Sequence, residues 1–215
     1  MSRVRVHNFS VSLDGFAAGE GQGPDAPFGH AGTRLVDWFM QTRAFNEMHG
    51  QAGGSSGVDD ALASTWAPGI GAEIMGRNKF GPQRGPWTDE EWKGWWGEEP
   101  PFHTPVFVLT HHLRPSIEMK GGTTFYFIDA SPAEALAAAR EAAGGLDVRI
   151  GGGPATVRQF LAADLIDQLH IALVPILLGR GEPLWDGGLE GLEERFATES
   201  VSSPSGVTHV TFTRR

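Results

Sequence analysis

The chain has 215 residues, enough for a single domain, and 40% of them are hydrophobic, enough to form a core. Its net charge of −9 argues against nucleic acid or an anionic membrane as a main partner, since both require a basic surface. The chain contains no cysteine, which excludes disulfides and thiolate chemistry, and no apolar run is typical of a signal peptide or membrane span, so we expect a cytoplasmic protein.

Eight segments along the chain have the composition of β-strands. The first alternates, with Val4, Val6, Phe9 and Val11 apolar, and the last two flank a turn at 203–206, which predicts a terminal hairpin. The eight predicted strands cover residues 3–12, 72–76, 105–109, 124–128, 147–151, 168–177, 195–202 and 207–213.

Helical patterns separate several of these strands. One is predicted over 33–48, a second begins after Ser131 with Glu134 in its first turn, and a third begins at Pro154. Strands that alternate with helices indicate crossover connections. We therefore predict an α/β fold with a mostly parallel eight-stranded central sheet, helices on both faces and a C-terminal antiparallel hairpin, all within a single domain over 1–215.

Residues 15–32 and 49–57 are predicted to be loops, and an excursion rich in Trp, Pro and Gly covers about 81–101. Within the excursion, Thr88 and Glu91 have capping-box spacing, and Trp92, Trp95 and Trp96 follow at helical spacing. These aromatic side chains have two interpretations. They pack the excursion onto the body or onto a second subunit, or they line a substrate pocket.

Three motifs that could bind phosphate follow predicted strands. The glycines 151–153 precede Pro154 at the start of a predicted helix. Glycine lets the backbone approach a ligand closely, and the first N–H groups of the helix point at a bound anion. The alternative interpretation is a tight turn that binds nothing. Arg77 follows Gly76, and its planar guanidinium can bind a phosphate through two hydrogen bonds. The alternative interpretation is that this segment only contributes two solvated charges at the start of a loop.

The third motif contains Thr110, His111, His112 and Arg114. We expect no metal there, because neighbouring histidines rarely share one ion and no carboxylate is clustered nearby. All three motifs lie at the carboxyl ends of predicted parallel strands, which is where ligands bind in such sheets. One long polyanionic cofactor would use all three.

Several segments together carry a family resemblance: SLDGFAAG, MGRNKF, VFVLTHH and IGGGPATVRQFLAADLIDQLHIALVPILLGRGEPLW. They resemble the dihydrofolate-reductase-like superfamily, and most closely the reductase (C-terminal) domain of the bacterial riboflavin-biosynthesis bifunctional deaminase–reductase and its stand-alone relatives. No GxGxxG motif follows the first strand, so the pattern differs from a Rossmann fingerprint.

The resemblance implies NADPH as cofactor and assigns residues to it. The pyrophosphate loop and helix start are matched by Gly151, Gly152, Gly153, Pro154, Ala155 and Thr156. The site of the adenosine phosphates is matched by Gly76, Arg77 and Asn78, and the adenine ribose with its 2′-phosphate by Thr110 and His111. Ala17 and Ala18 match the segment beside the nicotinamide.

The resemblance also suggests two catalytic carboxylates. Asp37 is the counterpart of the helix carboxylate of folate reductases, and Asp14 is the acid of the SLDG motif beside the substrate cleft. The alternative for Asp37 is an ordinary helix carboxylate. Ala172 replaces the strand threonine that supports this carboxylate in folate reductases, which argues against folate as substrate.

These features predict an oxidoreductase that transfers hydride from NADPH to a C=N or C=O carbon of a small, pterin- or pyrimidine-like substrate. The alternative is a non-catalytic nucleotide-binding or regulatory protein that retains the cofactor pocket. A homodimer is expected from the resemblance, through the Trp-rich excursion or the terminal strands.

Overall fold

The computed structural model describes residues 2–215 and contains eleven strands. In chain order these are β1 (Val4–Ser12), β2 (Phe16–Ala18), β3 (Ile70–Gly76), β4 (Pro105–Leu109), β5 (Ile117–Glu118), β6 (Thr124–Ile128), β7 (Asp147–Gly152), β8 (Gln168–Val174), β9 (Glu182–Pro183), β10 (Phe196–Ser202) and β11 (Thr208–Arg214). The helices are α1 (Asp37–Met40), α2 (Arg43–Met48), α3 (Val58–Ala63), α4 (Arg77–Phe80), α5 (Pro132–Ala142) and α6 (Pro154–Ala162).

Nine strands form the main sheet in the order β10-β11-β8-β1-β7-β3-β4-β6-β5. The six strands from β8 to β6 run parallel, while β11 and β10 at one edge and β5 at the other are antiparallel additions. The predicted α/β fold and C-terminal hairpin are confirmed. The sheet has nine strands instead of eight because β5 has only two residues, too few to show an alternating pattern. The small sheet formed by β2 and β9 was not predicted either, because these two strands are also very short.

Two local predictions of helices were wrong. The segment 33–48 forms two short helices, because the Thr42 hydroxyl accepts from the Phe45 N–H (3.1 Å) and starts α2 as a new helix. The predicted capping box of Thr88 and Glu91 starts no helix. Instead, the Gln83 side-chain oxygen accepts from the Thr88 N–H (3.1 Å) and holds a turn.

The two faces of the sheet are covered differently. On one face, α5 and α6 pack on an apolar cluster that includes Val6, Ile74 and Ile150. The other face has two separate covers: α1 and α3 lie over the β1–β8 side, and the Trp-rich excursion lies over β3, β4 and β6. A gap between these two covers exposes the middle of the sheet, and the polar side chains described below lie there. Within 2–215, none of the helices has the length and apolar character needed to cross a membrane.

Candidate functional site

A first cavity of about 840 Å³ lies at the carboxyl ends of β3, β4 and β7. It brings together the predicted phosphate-binding residues from three separate stretches of sequence. Those that line it are Gly76, Arg77, Asn78, Thr110, His111, Gly153, Ala155 and Thr156.

The start of α6 shapes one wall of this first cavity. Gly76 must lack a side chain, because a Cβ atom there would lie 2.3 Å from Thr156 Oγ1. No side chain of residues 2–215 caps α6, so the N–H groups of Ala155 and Thr156 in its first turn are left for a ligand. Together with the helix dipole, these donors make the wall suited to an anion.

Arg77, the first residue of α4, lines the same cavity, and its guanidinium stacks on Trp87 with Cζ 3.8 Å from the ring centroid. Its Nε and one terminal nitrogen are buried and have no hydrogen-bond partner among the described residues. Burial lowers the pKa of Arg77, and the neighbouring Arg84 and Arg114 lower it further. Grouped cations with free donors create a strong preference for a bound anion.

Thr110 and His111 form the third side of the first cavity. The Thr110 hydroxyl accepts from the His112 N–H (3.1 Å), which keeps the turn after β4 closed. The exposed His111 ring lies beside Asp129, with Nδ1 2.8 Å from Oδ1. The structure, over residues 2–215, contains no group of three or more His, Cys, Asp or Glu side chains that could hold a metal.

A second cavity of about 800 Å³ opens into the gap between the two covers. It shares Asn78, Arg84, Gly153 and Glu182 with the first cavity, so the two form one continuous cleft. The predicted residues Ala17, Ala18, Gly151 and Pro154 line it. Gly152, the last residue of β7, is predicted to bind the cofactor but lines neither cavity; its φ of 109° favours glycine, and its peptide bond to Gly153 is cis.

Aromatic side chains form much of the wall of the second cavity. They include Phe39, Phe45, Trp66, Trp95, Trp96 and Phe102. The excursion packs on the body of the protein, because Trp87, Trp92 and Trp96 contact the core cluster on the sheet. Trp95 and Trp96 also line the second cavity, and that this cavity binds a substrate stays a prediction.

A β-bulge in β1 places His7 and Asn8 at the floor of this second cavity. The register of β1 against β8 shifts between Val6 and Phe9, and Asn8 has a positive φ of 53°. Val6 and Phe9 both contact the core under α5 and α6, so the bulge directs the intervening side chains to the opposite face. The His7 ring is 8% exposed, and neither of its nitrogens has a partner in the described chain.

Asn8 is held by a buried polar chain. Its N–H donates to His170 Nδ1 (3.1 Å), His170 Nε2 lies 3.0 Å from His209 Nδ1, and His209 Nε2 lies 2.8 Å from Asp59 Oδ1. Burial lowers the pKa of His170 to about 4, with His209 adding to the effect. These contacts hold the unusual backbone of the bulge in place.

Three charged side chains lie beside the bulge. Arg149 Nε donates to Glu73 Oε2 (2.7 Å), and Lys79 Nζ donates to Glu73 Oε1 (2.9 Å). Burial alone would raise the pKa of Glu73, but Arg149 and Lys79 hold it below its ordinary value. A Cβ atom on Gly151 would lie 2.0 Å from Glu73 Oε1 and 2.6 Å from Lys79 Nζ, so glycine is required there by the ion group.

The family model described as the RibD C-terminal domain matches residues 5–203. The chain belongs to the RibD C-terminal domain family. No curated protein matches it.

Solved structures with the same fold come from several organisms. A protein assigned to riboflavin biosynthesis from Shewanella sp. PV-4 is 21% identical with a TM-score of 0.61, and the match covers 100% of this chain and 99% of that one. A deaminase/reductase from Thermotoga maritima is 13% identical with a TM-score of 0.54, covering 100% and 57%. Dihydrofolate reductase from Enterococcus faecalis, complexed with NADP(H), is 14% identical with a TM-score of 0.51, covering 100% and 96%. These similarities show a shared dihydrofolate-reductase-like fold.

The two predicted catalytic carboxylates of this RibD-family chain do not line either cavity. The Asp14 carboxylate accepts from the Ser12 hydroxyl (2.6 Å) and from the N–H groups of Leu178 and Gly179 (3.1 and 2.6 Å). The Ser12 hydrogen bond, followed by those backbone donors, lowers the pKa of Asp14 to about 2. Asp14 therefore anchors the loop after β8 and is poorly suited to donate a proton at neutral pH.

Asp37 is half-buried on α1, where its neighbours Val36, Phe39 and Met40 line the second cavity but Asp37 does not. Trp38 occupies the core-facing side of the same helix and donates from Nε1 to Ser10 Oγ (2.9 Å). The alternative of an ordinary helix carboxylate fits this position better than a catalytic acid.

The residues at the cavity floor were not predicted, although the sequence contains signals for them. The apolar positions Val6 and Phe9 are three apart, which breaks the period of two and is typical of a bulge. Glu73 and Arg149 each interrupt an otherwise apolar strand, and charged residues inside buried strands are usually paired.

Proposed function

We propose that the chain is an NADPH-dependent reductase that transfers hydride to a C=N or C=O carbon of a small planar heterocycle of the pyrimidine or pterin kind. Membership of the RibD C-terminal domain family supports a reductase. The names of two similar structures, a deaminase/reductase and a dihydrofolate reductase complexed with NADP(H), agree with that class of substrate and cofactor.

The buried, unpartnered donors of Arg77 carry the cofactor part of this proposal. A guanidinium with free N–H groups next to Arg84 and Arg114 requires an anion more negative than a neutral ribose hydroxyl. The 2′-phosphate of NADPH meets that requirement, and Thr110 and His111, which the resemblance matches to the same phosphate, line the same cavity as Arg77. NADH lacks this group. Gly153 and the first turn of α6 would hold the pyrophosphate.

The cofactor would supply hydride from its reduced nicotinamide when bound. The chain's own contribution is to bind and orient both reactants and to exclude water. The continuity of the two cavities supports this division, with phosphates in the first and the reacting rings in the second.

The test is calorimetric titration of the protein and of Arg77→Ala with NADPH and with NADH. Loss of a charge-assisted contact should weaken NADPH binding roughly tenfold to a hundredfold and leave NADH nearly unchanged. Arg140→Ala, at an exposed position on α5, is the control and should bind both as the native protein does. Equal affinity of the native protein for the two nucleotides, or an Arg77→Ala variant that binds NADPH normally, would reject the assignment.

A nucleotide-binding protein without turnover is the second candidate, and the position of Asp14 and Asp37 outside the cleft favours it. Tight NADPH binding combined with no oxidation of NADPH across a panel of pyrimidines, pterins and small carbonyl compounds would support this candidate. The predicted homodimer stays a prediction.

A further inference from the structure

His7 is a buried side chain with no role in the fold's hydrogen bonding. Burial lowers the pKa of His7 to about 3, with Arg5, Arg149 and His170 adding to the effect, so the ring is neutral at physiological pH. A neutral imidazole has one donor nitrogen and one acceptor nitrogen, and neither has a partner within 2–215. Leaving both unmet costs free energy, which a ligand in the second cavity would recover.

Lys79 brings excess positive charge to the same cavity. Glu73 carries one negative charge and is shared by Lys79 and Arg149, so the group of three has a net charge of +1. Glu73 and Arg149 are essentially fully buried, whereas the Lys79 side chain is 25% exposed and lines the cavity. Of its three N–H donors, one is used by Glu73. The unbalanced charge therefore faces the cavity through Lys79.

The walls next to these groups are aromatic, with rings that are tilted or edge-on to one another. Trp66 and Phe102 have ring centroids 5.8 Å apart, and Trp96 packs against Phe102 at 4.8 Å. Arg149 stacks on Trp66, with Cζ 3.6 Å from the ring centroid. A planar ring bound in the cavity would gain apolar and stacking contact with an exposed ring of this wall while hydrogen bonding to His7 and Lys79.

We propose that His7 and Lys79 form the substrate subsite of this cleft, and that it selects a planar heterocycle with a ring N–H or C=O within reach of His7 and an anionic oxygen, such as a carboxylate, on the ring. One nitrogen of His7 forms a hydrogen bond with that N–H or C=O, and Lys79 binds the anionic oxygen. The description of the ligand as a substrate rests on the proposed function, but the subsite itself does not.

The probes are two pteridines, lumazine and lumazine-6-carboxylate, which share the N–H/C=O edge and differ in one negative charge. Their binding is measured by calorimetry near neutral pH, without cofactor, to the native protein and to Lys79→Met, a neutral side chain of similar length. We expect the native protein to prefer the carboxylate, and Lys79→Met to lose roughly tenfold to a hundredfold in affinity for it while binding lumazine unchanged. Lys120→Met, which removes an exposed lysine paired with Glu98 outside both cavities, is the control and should keep the preference.

The histidine is tested with His7→Leu, which removes both polar atoms, and His7→Gln, which keeps one donor and one acceptor. His7→Leu should weaken both probes by about tenfold, and His7→Gln should recover most of that loss. Nitrogen chemical shifts of the His7 ring should also move when either probe is added to the native protein.

Each alternative outcome has a defined meaning. Native affinities for both probes in Lys79→Met, or an equal loss for both, would overturn the subsite, because Lys79 would then act only as a partner of Glu73. A loss of NADPH affinity in Lys79→Met would also overturn it by assigning the lysine to the cofactor. A native protein that prefers the carboxylate through Lys79 yet binds no NADPH would reject the proposed function and keep the subsite.

Discussion

The two halves of the cleft are built in different ways. The first cavity is formed by residues at strand ends, and each belongs to a short contiguous motif such as 76–78 or 151–156. The floor of the second cavity is formed by residues 7–10 in the middle of β1, Gly151 of β7 and Lys79 of α4. Glu73 of β3 and Arg149 of β7 lie buried next to it, and these groups meet only because β1, β7 and β3 are consecutive strands in the sheet. The residues of the first cavity can therefore be identified from short sequence motifs, whereas those of the second cavity depend on the order of the strands in the sheet.

This difference matches the ligands that we propose for the two halves. A phosphate is recognised by backbone N–H groups, glycine and arginine, which a strand–loop–helix segment supplies locally. A ring with a specific edge is recognised by a few side chains, which only a folded sheet can hold in position. Gly151 lies where the two halves meet, because it belongs to the predicted phosphate loop and also makes room for Glu73 and Lys79.

The sharpest way to separate the halves is to add one methyl group at Gly151. In Gly151→Ala the new Cβ would overlap Glu73 Oε1, and Glu73 cannot move away without leaving Arg149. We expect the free energy of unfolding to fall by about 3 kcal/mol, the range for overpacking and for disturbing a buried ion pair. Urea unfolding followed by circular dichroism measures the change.

The matched control is Gly153→Ala, two residues along the same loop. A Cβ atom there has no neighbour within 4 Å, so stability should fall by less than about 1 kcal/mol. The methyl would instead enter the cleft, so NADPH binding should weaken. If Gly151→Ala proved as stable as Gly153→Ala, the ion group would be able to rearrange and the two halves would not be coupled at this loop.

A second prediction uses pH to address the floor of the second cavity alone. The pKa values of His7 and His170 are lowered from 6.5 to about 3 and about 4 in the folded chain. The unfolded chain therefore takes up protons below pH 6.5 that the folded chain does not. Stability should be independent of these groups above pH 6.5 and should fall below it, by about 1.4 kcal/mol per pH unit for each histidine down to about pH 4.

Urea unfolding between pH 7 and pH 4 measures this slope. His7→Gln should reduce the slope by the share of one histidine. A His7→Gln variant with the native slope would show that the His7 ring becomes protonated in the folded protein.

The sequence was a good guide wherever one segment carried the whole signal. All eight predicted strands are present, and so are the helix that begins after Ser131 and the strand-end placement of the cofactor motifs. The prediction missed β5, because two residues are too few to show a strand pattern. It also merged two helices into one, because the helical pattern continues across the break at Thr42. The Glu73–Arg149 pair shows the remaining limit, because its partners are 76 residues apart in the chain and come together only through the β3–β7 register.

The smallest expected effects concern the two carboxylates, and they test whether catalysis belongs to the predicted motifs or to the cavity floor. Asp14→Asn should lower the melting temperature modestly, because the amide cannot accept as well from the N–H groups of Leu178 and Gly179. Asp37→Asn should change neither melting temperature nor NADPH affinity, since its side chain lies outside both cavities. With a substrate in hand, kcat should survive both changes. A large loss of kcat in Asp37→Asn, with NADPH affinity intact, would restore that residue as the catalytic acid and would require α1 to turn its carboxylate into the cleft.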